Sequence, residues 1–249
     1  MSNSTTRFSD RVEDYVKYRP HYPREILPYL EGIYSFQTSW DVADIGSGTG
    51  ISTELFLRNG NRVFAVEPNA EMRGKAEELL GGDPHFVSID GTAEATGLAA
   101  ESVRLVVAGQ AFHWFDAQKS KAEFVRILSP GGVVALIWND RLADSAFEKE
   151  YDALILQYAG EYKTVNHRNI TDKQIDAFFS PAVVRSAHFE NEQLLDFPGL
   201  MGRLSSSSYV PKDNPEMMKA LELVFHRHAR DGKVRIGYNT KLYTGVLKP

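Results

Sequence analysis

Short apolar runs alternate with helical segments along the middle of the chain. Five of these runs are continuously apolar or nearly so: 42–45, 62–66, 85–89, 103–108 and 133–138. Runs of this length without polar alternation are typical of strands that are buried on both faces. Because helical stretches separate most of them, the pattern predicts right-handed strand–helix–strand units and a parallel sheet with helices on both faces.

The helices predicted after residue 60 begin at side chains that can accept hydrogen bonds from free backbone N–H groups. These candidate caps are Asn69, Asp116, Ser145, Thr171 and Asn214. Ser145 and Thr171 are each followed three residues later by Glu or Gln, which completes a capping box. Their positions predict where each helix starts.

The two ends of the chain depart from the central alternation. Residues 8–33 are predicted to form two helices, the second opening at Pro23, and residues 145–215 are mainly helical. Two later segments, 183–189 and 234–247, have the composition of strands. The last alternates apolar and polar residues, which predicts a half-buried antiparallel strand.

Composition and charge exclude several classes of function. The 249 residues include no cysteine, which excludes disulfides, thiolate zinc sites and a thiol nucleophile. The net charge is −5 and no basic cluster is present, so nucleic-acid binding is not expected. No signal peptide is recognisable, and no apolar run reaches the roughly 18–20 residues of a membrane span. We therefore expect a cytoplasmic protein that binds neither nucleic acid nor membrane, and the histidine spacing predicts no metal site.

The segment after the first predicted strand carries the clearest chemical signal. It reads Asp44-Ile45-Gly46-Ser47-Gly48-Thr49-Gly50 and leads into a helix expected near Ile51. Glycines let a chain turn tightly and let a ligand approach the backbone, and a helix N-terminus adds N–H donors. The dinucleotide pattern G-x-G-x-x-G fails, because Ile51 or Thr53 would occupy its sixth position. Asp44 suits a cationic group and would repel a pyrophosphate.

A second acidic residue strengthens this interpretation. Glu67 ends the second predicted strand, about 20 residues beyond the glycine loop, where a carboxylate can bind both hydroxyls of a ribose. In a parallel sheet this position lies at the same edge as the loop. The two acids together predict a ligand with a nucleoside at one end and a cation at the other.

Five segments taken together resemble class I S-adenosylmethionine (SAM)-dependent methyltransferases. The closest resemblance is to the methyltransferase-11 group and its trans-aconitate-methyltransferase-like relatives. The segments are VADIGSGTG at 42–50, the stretch 63–72, GTAEA at 91–95, QAFHWF at 110–115 and LSPGG at 128–132. Residues 15–20 also resemble the N-terminal helix of that group.

The resemblance implies one doubly wound, Rossmann-like α/β fold with a seven-stranded, mostly parallel sheet and one antiparallel strand. It divides the chain into an N-terminal helical lid (1–35), a SAM-binding core (36–140) and a remainder (141–249) that adds a helical cap over the acceptor site. The implied activity is transfer of a methyl group from SAM to oxygen, carbon or nitrogen of a small molecule, leaving S-adenosylhomocysteine (SAH). We expect a monomer or a homodimer.

The resemblance also assigns residues to the cofactor. The glycine loop would hold the methionine end of SAM, and Glu67 would hold the ribose. The remaining positions would border the adenine, lie under the methionine or pair with a carboxylate. The complete expected set is Asp44, Gly46, Ser47, Gly48 and Gly50 in the loop, Glu67, Pro68, Met72, Thr92, Ala93 and Gln110 around the nucleoside and methionine, and Arg19.

Roles on the acceptor side remain open at this stage. His113 follows the fourth strand and is either a general base or a packing residue beside the SAM pocket. Trp138, Asn139 and Arg141 follow the fifth strand and are expected on the acceptor side. Three tyrosines of the N-terminal region, Tyr15, Tyr18 and Tyr22, either close over the cofactor or simply pack.

Two other functions compete with methyl transfer. A non-catalytic SAM-binding protein would keep the same loop, and a nucleotide-dependent oxidoreductase is disfavoured by the failed dinucleotide pattern. A methyltransferase acting on nucleic acid or protein is disfavoured by the acidic charge.

Overall fold

The computed structural model describes residues 12–159, 171–207, 210–211 and 214–248. The first residues of the predicted N-terminal helix, 8–11, and His167 lie outside these ranges. The described helices are α1 (Val12–Tyr18), α2 (Ile26–Tyr34), α3 (Ile51–Leu57), α4 (Ala70–Leu80), α5 (Ala117–Ile127), α6 (Ala146–Tyr158), α7 (Asp172–Phe179), α8 (Phe197–Ser205) and α9 (Pro215–His228). The strands are β1 (Val42–Ile45), β2 (Val63–Val66), β3 (Phe86–Ile89), β4 (Val103–Gly109), β5 (Leu128–Arg141), β6 (Arg185–Leu195) and β7 (Val234–Lys248).

The seven strands form one sheet in the order β3-β2-β1-β4-β5-β7-β6. β1 pairs in parallel with β2 and with β4, and β4 pairs in parallel with β5. β7 is antiparallel to both of its neighbours, β5 and β6. The predicted mostly parallel, seven-stranded sheet with one antiparallel strand is therefore confirmed.

The strand order places a crevice beside β1. The chain builds β1, β2 and β3 outward in one direction and then returns to add β4 on the other side of β1. At such a switch point the loops after neighbouring strands run to opposite faces of the sheet and leave space for a ligand. The glycine loop follows β1, and Glu67 follows β2, at this carboxyl edge.

Apolar side chains fill both faces of the sheet and a separate helical layer. On one face, Phe124 of α5 and Phe178 of α7 pack against the central strands. On the other face, Leu30 of α2 and Phe56 of α3 do so. A third cluster joins α6, α8 and α9 to the first residues of β7. Both faces are therefore closed, and the carboxyl edge is where a ligand can enter.

β5 and β6 differ from the prediction at both of their ends, since β6 spans Arg185–Leu195 instead of 183–189. The sequence Pro130-Gly131-Gly132 was expected to separate α5 from the fifth strand, but β5 begins at Leu128, and Gly131 has a φ of 74° within it. β5 also continues to Arg141, because β7 pairs with it as far as Tyr238. Long-range pairing of this kind is not visible in a local pattern. Among the described helices, none is long and apolar enough to cross a membrane.

Candidate active site

A cleft opens at the carboxyl edge of β1, β2 and β4. Its empty volume, which includes space open to solvent, is about 840 Å³. The lining residues come from α1, the glycine loop, the segments that follow β2, β3 and β4, and the first turn of α4. They are Tyr15, Gly46, Gly48, Glu67, Pro68, Asn69, Met72, Thr92, Ala93, Glu94, Gly109, Gln110, Ala111, Trp114 and Phe115.

The glycine loop needs glycine for two different reasons. Gly46 has a φ of 68°, and a Cβ on it would lie 2.7 Å from the Cβ of Ala111. Both the backbone conformation and the close approach therefore exclude a side chain. Gly50 instead precedes α3 with a φ of 90°, and a Cβ there would lie 2.4 Å from Leu80. It does not line the cleft, so its close packing concerns α4 and not the ligand.

Glu67 is 7% exposed and lines the cleft. Its Oε2 accepts a hydrogen bond from the backbone N–H of Gly48 at 2.9 Å, and its Oε1 accepts one from that of Asn69 at 2.8 Å. Burial raises the pKa of this carboxyl, and the nearby Asp44 carboxylate raises it further. A carboxylate has about four lone-pair positions, so these two bonds leave room for further donors.

Asp44 is fully buried beneath the loop and does not line the cleft. Its Oδ2 accepts hydrogen bonds from the hydroxyls of Ser52 and Thr53, both at 2.7 Å. Burial raises the pKa of Asp44 to about 6, although those hydroxyls act in the opposite direction. One oxygen of Asp44 therefore anchors the first turn of α3, and the other, Oδ1, makes no hydrogen bond within the described residues.

Four oxygen atoms in or near the loop are buried and have no hydrogen-bond partner among the described residues. They are Asp44 Oδ1, Ser47 Oγ, Thr49 Oγ1 and Gln110 Oε1. A buried polar atom without a partner costs about 1–3 kcal/mol. Their concentration at one edge of the sheet indicates that a polar ligand supplies the missing bonds.

A smaller polar recess continues from the cleft. The two spaces share Tyr15, Gly46, Gly109 and Gln110 along their walls. The recess is further lined by Arg19, Pro20, Tyr22, Ser47, Ile51, Ser52 and Asn139.

The residues before α2 close this recess. The guanidinium of Arg19 lies 4.8 Å from the ring of Tyr15 and donates a hydrogen bond to the carbonyl of Ser206 at 3.0 Å. Burial raises the pKa of Tyr22 well above its ordinary value, so its hydroxyl remains a neutral donor. That hydroxyl lies 2.7 Å from where a Cβ on Gly109 would be, which explains the glycine at the end of β4.

The opposite end of the cleft is shaped for a flat apolar group. Met72 is 5% exposed there, and its backbone N–H is capped by the side chain of Asn69 at 2.9 Å. Thr92 bonds back to Ala95 through a tight backbone bridge, which presents Ala93 to the cleft. This end suits a purine, and the recess suits a charged group.

The comparisons with known proteins agree with this geometry. Residues 43–136 match the family model described as a methyltransferase domain. This segment contains the glycine loop, Glu67 and the fourth strand, which are the parts that build the cleft. The segment 43–136 is therefore similar to a methyltransferase domain.

Several relatives carry the same general name. An uncharacterised methyltransferase of Schizosaccharomyces pombe is 27% identical over 219 residues, 86% of this chain and 84% of the relative. An uncharacterised methyltransferase of Mycobacterium tuberculosis is 37% identical over 134 residues, which is 54% of this chain and 52% of the relative. The aligned part of this chain thus spans only about half the length of the mycobacterial relative.

Solved structures share the fold. A structure provisionally described as a type II methyltransferase from Anaeromyxobacter dehalogenans is 23% identical, with a TM-score of 0.68, and the match covers 93% of this chain and 99% of that one. The geranyl diphosphate C-methyltransferase of Streptomyces coelicolor, solved with SAH, is 17% identical with a TM-score of 0.51, over 90% of this chain and 74% of that one. At these identities the likeness concerns the fold.

The fold does not bring every predicted residue into the cleft. His113 lies in the 3₁₀ turn Phe112–Trp114, and its ring packs against Trp114 at a centroid distance of 4.8 Å. It is absent from both sets of lining residues. The packing alternative therefore agrees better with its position than the general-base alternative.

Only one of the three residues expected on the acceptor side lines the recess. Asn139 lines the recess. Trp138 is buried between Phe112 and Tyr243, and Arg141 pairs with Asp152 of α6. These two side chains belong to the packing around the sheet.

The sequence did not identify several lining residues as parts of the site. Asn69 was noted only as a helix cap, and Glu94, Trp114 and Phe115 were noted only as parts of motifs. Each lies next to a predicted site residue along the chain, and that proximity was the available signal. Which of two adjacent side chains faces the cleft depends on backbone turns that the sequence pattern does not specify.

Proposed function

We propose that this protein is a methyltransferase that binds SAM in the cleft and recess and methylates a small molecule. The single observation that supports this most strongly is that Glu67 and four buried oxygens without a partner among the described residues lie at the same edge of the sheet. A nucleoside that carries a cationic amino acid satisfies both features. A dinucleotide would bring a pyrophosphate toward Asp44 instead.

The proposed contacts fall into two groups, one for the nucleoside half of SAM and one for the methionine half. On the nucleoside side, Glu67 would accept hydrogen bonds from the ribose hydroxyls, while Met72 and Ala93 would enclose the adenine. Pro68 and Thr92 line the same end. The glycine loop leaves its backbone open to the ligand between the two halves.

On the methionine side, Gln110 Oε1 lies on the recess wall without a partner among the described residues and suits the ammonium group, and the carboxylate of Asp44, buried below the loop, would attract that group through its charge. The hydroxyls of Ser47 and Tyr22 and the guanidinium of Arg19 suit the carboxylate, which is the chemistry expected of donors and a cation. When bound, SAM supplies a methyl group that is activated by a sulfonium. The chain orients this end and excludes water from it.

Two features support a small acceptor. The recess is covered by the N-terminal segment through Arg19 and Tyr22, which leaves little room for a polymer. The net charge of −5 also disfavours a nucleic-acid substrate. His113 has no place in the proposed chemistry.

Calorimetry with SAH and with NAD⁺ tests the cofactor assignment. We expect SAH to bind and NAD⁺ not to bind. Glu67→Ala should weaken SAH binding by about 1–3 kcal/mol, because charge-assisted hydrogen bonds to the ribose are lost. Glu123→Ala is the matched control, since Glu123 is also a buried, hydrogen-bonded carboxylate but lies outside the cleft. Tight NAD⁺ binding, or equal losses in the two variants, would contradict the assignment.

The acceptor class is tested with labelled SAM. The protein is incubated with a metabolite extract, purified RNA and denatured protein, and the label is followed by mass spectrometry. We expect it in the small-molecule fraction. Label in the RNA or protein would overturn the acceptor class, and SAH binding without any labelled product would indicate a non-catalytic SAM-binding protein.

A further inference from the structure

The segment 18–22, which we name the strap, begins at the last residue of α1, and its residues 19–22 have no regular secondary structure. It contributes Arg19, Pro20 and Tyr22 to the walls of the recess. The N–H of Arg19 still donates to the carbonyl of Tyr15 at 3.2 Å, but the helical hydrogen bonds do not continue beyond it. Side chains that reach the carbonyl groups of the strap therefore help to hold it in place.

Three side-chain amides from the sheet supply those bonds. Gln193 of β6 donates to the carbonyl of Tyr18 at 3.0 Å, and Asn191 of β6 donates to that of His21 at 2.7 Å. Asn139 of β5 donates to the carbonyls of Pro20 at 3.5 Å and of His21 at 3.3 Å. Because a carbonyl can only accept, the amide nitrogen must face the strap in each case.

Asn139 differs from the other two because it is buried and uses all of its polar atoms. It is 3% exposed, and its Oδ1 accepts hydrogen bonds from Thr240 Oγ1 at 2.5 Å and from Asn191 Nδ2 at 3.3 Å. These bonds fix the orientation of its amide. The donors of Asn139 therefore point at the strap and cannot turn away.

The backbone of Asn139 also orients Gln110. Gln110 Nε2 donates to the carbonyl of Asn139 at 3.2 Å. Its other amide atom, Oε1, is therefore the one that is buried without a partner beside the recess. Gln110 has a φ of 54°, a conformation that non-glycine residues adopt mainly where the surroundings impose it.

We propose that Asn139 is a positioning residue for the methyl donor, holding the strap and the side-chain oxygen Oε1 of Gln110 around the amino-acid end of SAM. The inference rests on the proposed function. It adds a specific consequence, namely that Asn139 serves the methionine half of the ligand and not the nucleoside half. It acts through the strap and through Gln110.

The test compares two ligands and two asparagines. SAH carries both halves of the ligand, whereas 5′-methylthioadenosine lacks the amino-acid half. Asn139→Asp keeps the shape of the side chain but replaces the donors to Pro20 and His21 with an oxygen that repels their carbonyls. We expect SAH to bind roughly tenfold or more weakly, and 5′-methylthioadenosine to bind as it does to the unchanged protein.

Asn61→Asp is the matched control. Asn61 is also fully buried, and its amide donates to the carbonyls of Gln37, Thr38 and Trp40 at the opposite edge of the sheet. This variant should lower the urea midpoint without changing the preference between the two ligands. If Asn139→Asp acted only through a general loss of stability, it would change the affinities for the two ligands equally, as Asn61→Asp should.

Three results decide the matter. A selective loss of SAH in Asn139→Asp supports the proposal, whereas equal losses for both ligands or no loss for either would overturn it. If the variant does not fold, Asn191→Ala, which removes one donor from a half-buried position, must show the same selectivity in a smaller degree. If the unchanged protein binds 5′-methylthioadenosine and SAH equally or not at all, the proposed function fails first, and that outcome is separable from the behaviour of the variants.

Discussion

The two acids at the carboxyl edge, Asp44 and Glu67, have different roles although they lie at the ends of neighbouring strands. Glu67 faces the cleft and holds two backbone N–H groups, which fixes the loop that the ligand must approach. Asp44 lies below the loop, fully buried, and one of its oxygens has no partner among the described residues. A carboxylate in such a place destabilises the folded state when ionised. Its presence is understandable if a bound cation offsets that cost.

The first prediction concerns Asp44→Asn and protein stability. The folded pKa is about 6 and the ordinary value is 3.8, so the folded protein binds the proton more tightly than the unfolded chain does. Stability should therefore fall as pH rises from about 4 to about 6. Since Asn does not titrate, the stability of the variant relative to the unchanged protein should rise by about 2–3 kcal/mol between pH 4.5 and pH 8. Urea unfolding at the two pH values measures this.

A constant difference between the two proteins at both pH values would show that Asp44 does not titrate in this range. Glu67 also has a raised pKa, partly because of the Asp44 carboxylate, so removing that charge in Asp44→Asn acts in the same direction as removing the titration of Asp44 itself. The ligand-free protein is needed here, because a bound cation would lower the pKa of Asp44.

Residue-level features of the site were only partly predictable from the sequence. Glu67, Met72 and Ala93 line the cleft where motif spacing placed them. The spacing could not show that Asp44 turns toward Ser52 and Thr53, because a side-chain rotamer is chosen by its packed surroundings. The role of His113 stayed open between a general base and a packing residue for the same reason: a position after β4 locates the turn but not the direction of each ring.

At the scale of elements, the N-terminal helix is seated by a glycine on α8. A Cβ on Gly202 would lie 2.0 Å from two ring carbons of Tyr18, so the ring occupies the space that a side chain would take. This contact places the end of α1 immediately before the strap. The packing of two helices is thereby connected to the walls of the recess.

The second prediction is that Gly202→Ala destabilises the protein by about 1–3 kcal/mol and weakens SAH binding. The added methyl group must displace the Tyr18 ring, and overpacking of this kind has that typical cost. Thermal unfolding and calorimetry with SAH provide the two measurements.

Gly74→Ala is the control for this prediction. Gly74 lies in α4, and a Cβ there would meet nothing within 4 Å. Alanine in an unobstructed helical position should stabilise by about 0.4–1 kcal/mol and leave SAH binding unchanged. Matching behaviour of the two alanine variants would show that the Tyr18 contact is unimportant.

Element boundaries followed the sequence best where the signal was local. The caps at Asn69, Asp116 and Ser145 accept the expected N–H groups, and the Ser145 box is complete. The ends of β5 and β6 were wrong because they depend on β7, which pairs with both from a distant part of the chain. A pattern read within a window of a dozen residues contains no information about such a partner.

At the scale of the whole molecule, ionisable groups act on stability in two opposite directions. Glu123 holds Thr96 and Arg126 together, and the hydrogen bond from Arg126 lowers its pKa to about 2. A lowered folded pKa means that this acid contributes stability above pH 4.5 and loses it as pH falls toward 2. Asp44 and Glu67 have the opposite sign.

The third prediction concerns Glu123→Gln and the stability of the protein at acidic pH. At pH 6 the variant should be less stable by about 2 kcal/mol, because the charge-assisted bonds to Arg126 are lost. The difference should shrink as pH falls from 4.5 toward 2, where the carboxyl of the unchanged protein becomes protonated. Unfolding free energies across this range provide the check, and a difference that grows toward low pH would refute the assignment.

The last prediction joins the charges of the cleft to the ligand. The ammonium of SAH keeps its charge from pH 5 to pH 8, whereas Asp44, with a pKa of about 6, changes from mostly protonated to mostly ionised. If its free oxygen attracts the ammonium, only the ionised form binds well, and at pH 5 about a tenth of the molecules carry it. SAH should therefore bind roughly tenfold more weakly at pH 5 than at pH 8, with a plateau above about pH 7. In Asp44→Asn the affinity should be low throughout, with the Asp44 component of the pH dependence removed and only the weaker influence of Glu67 remaining. Calorimetry at four pH values distinguishes the two curves, and parallel curves would exclude Asp44 as the partner of the cation.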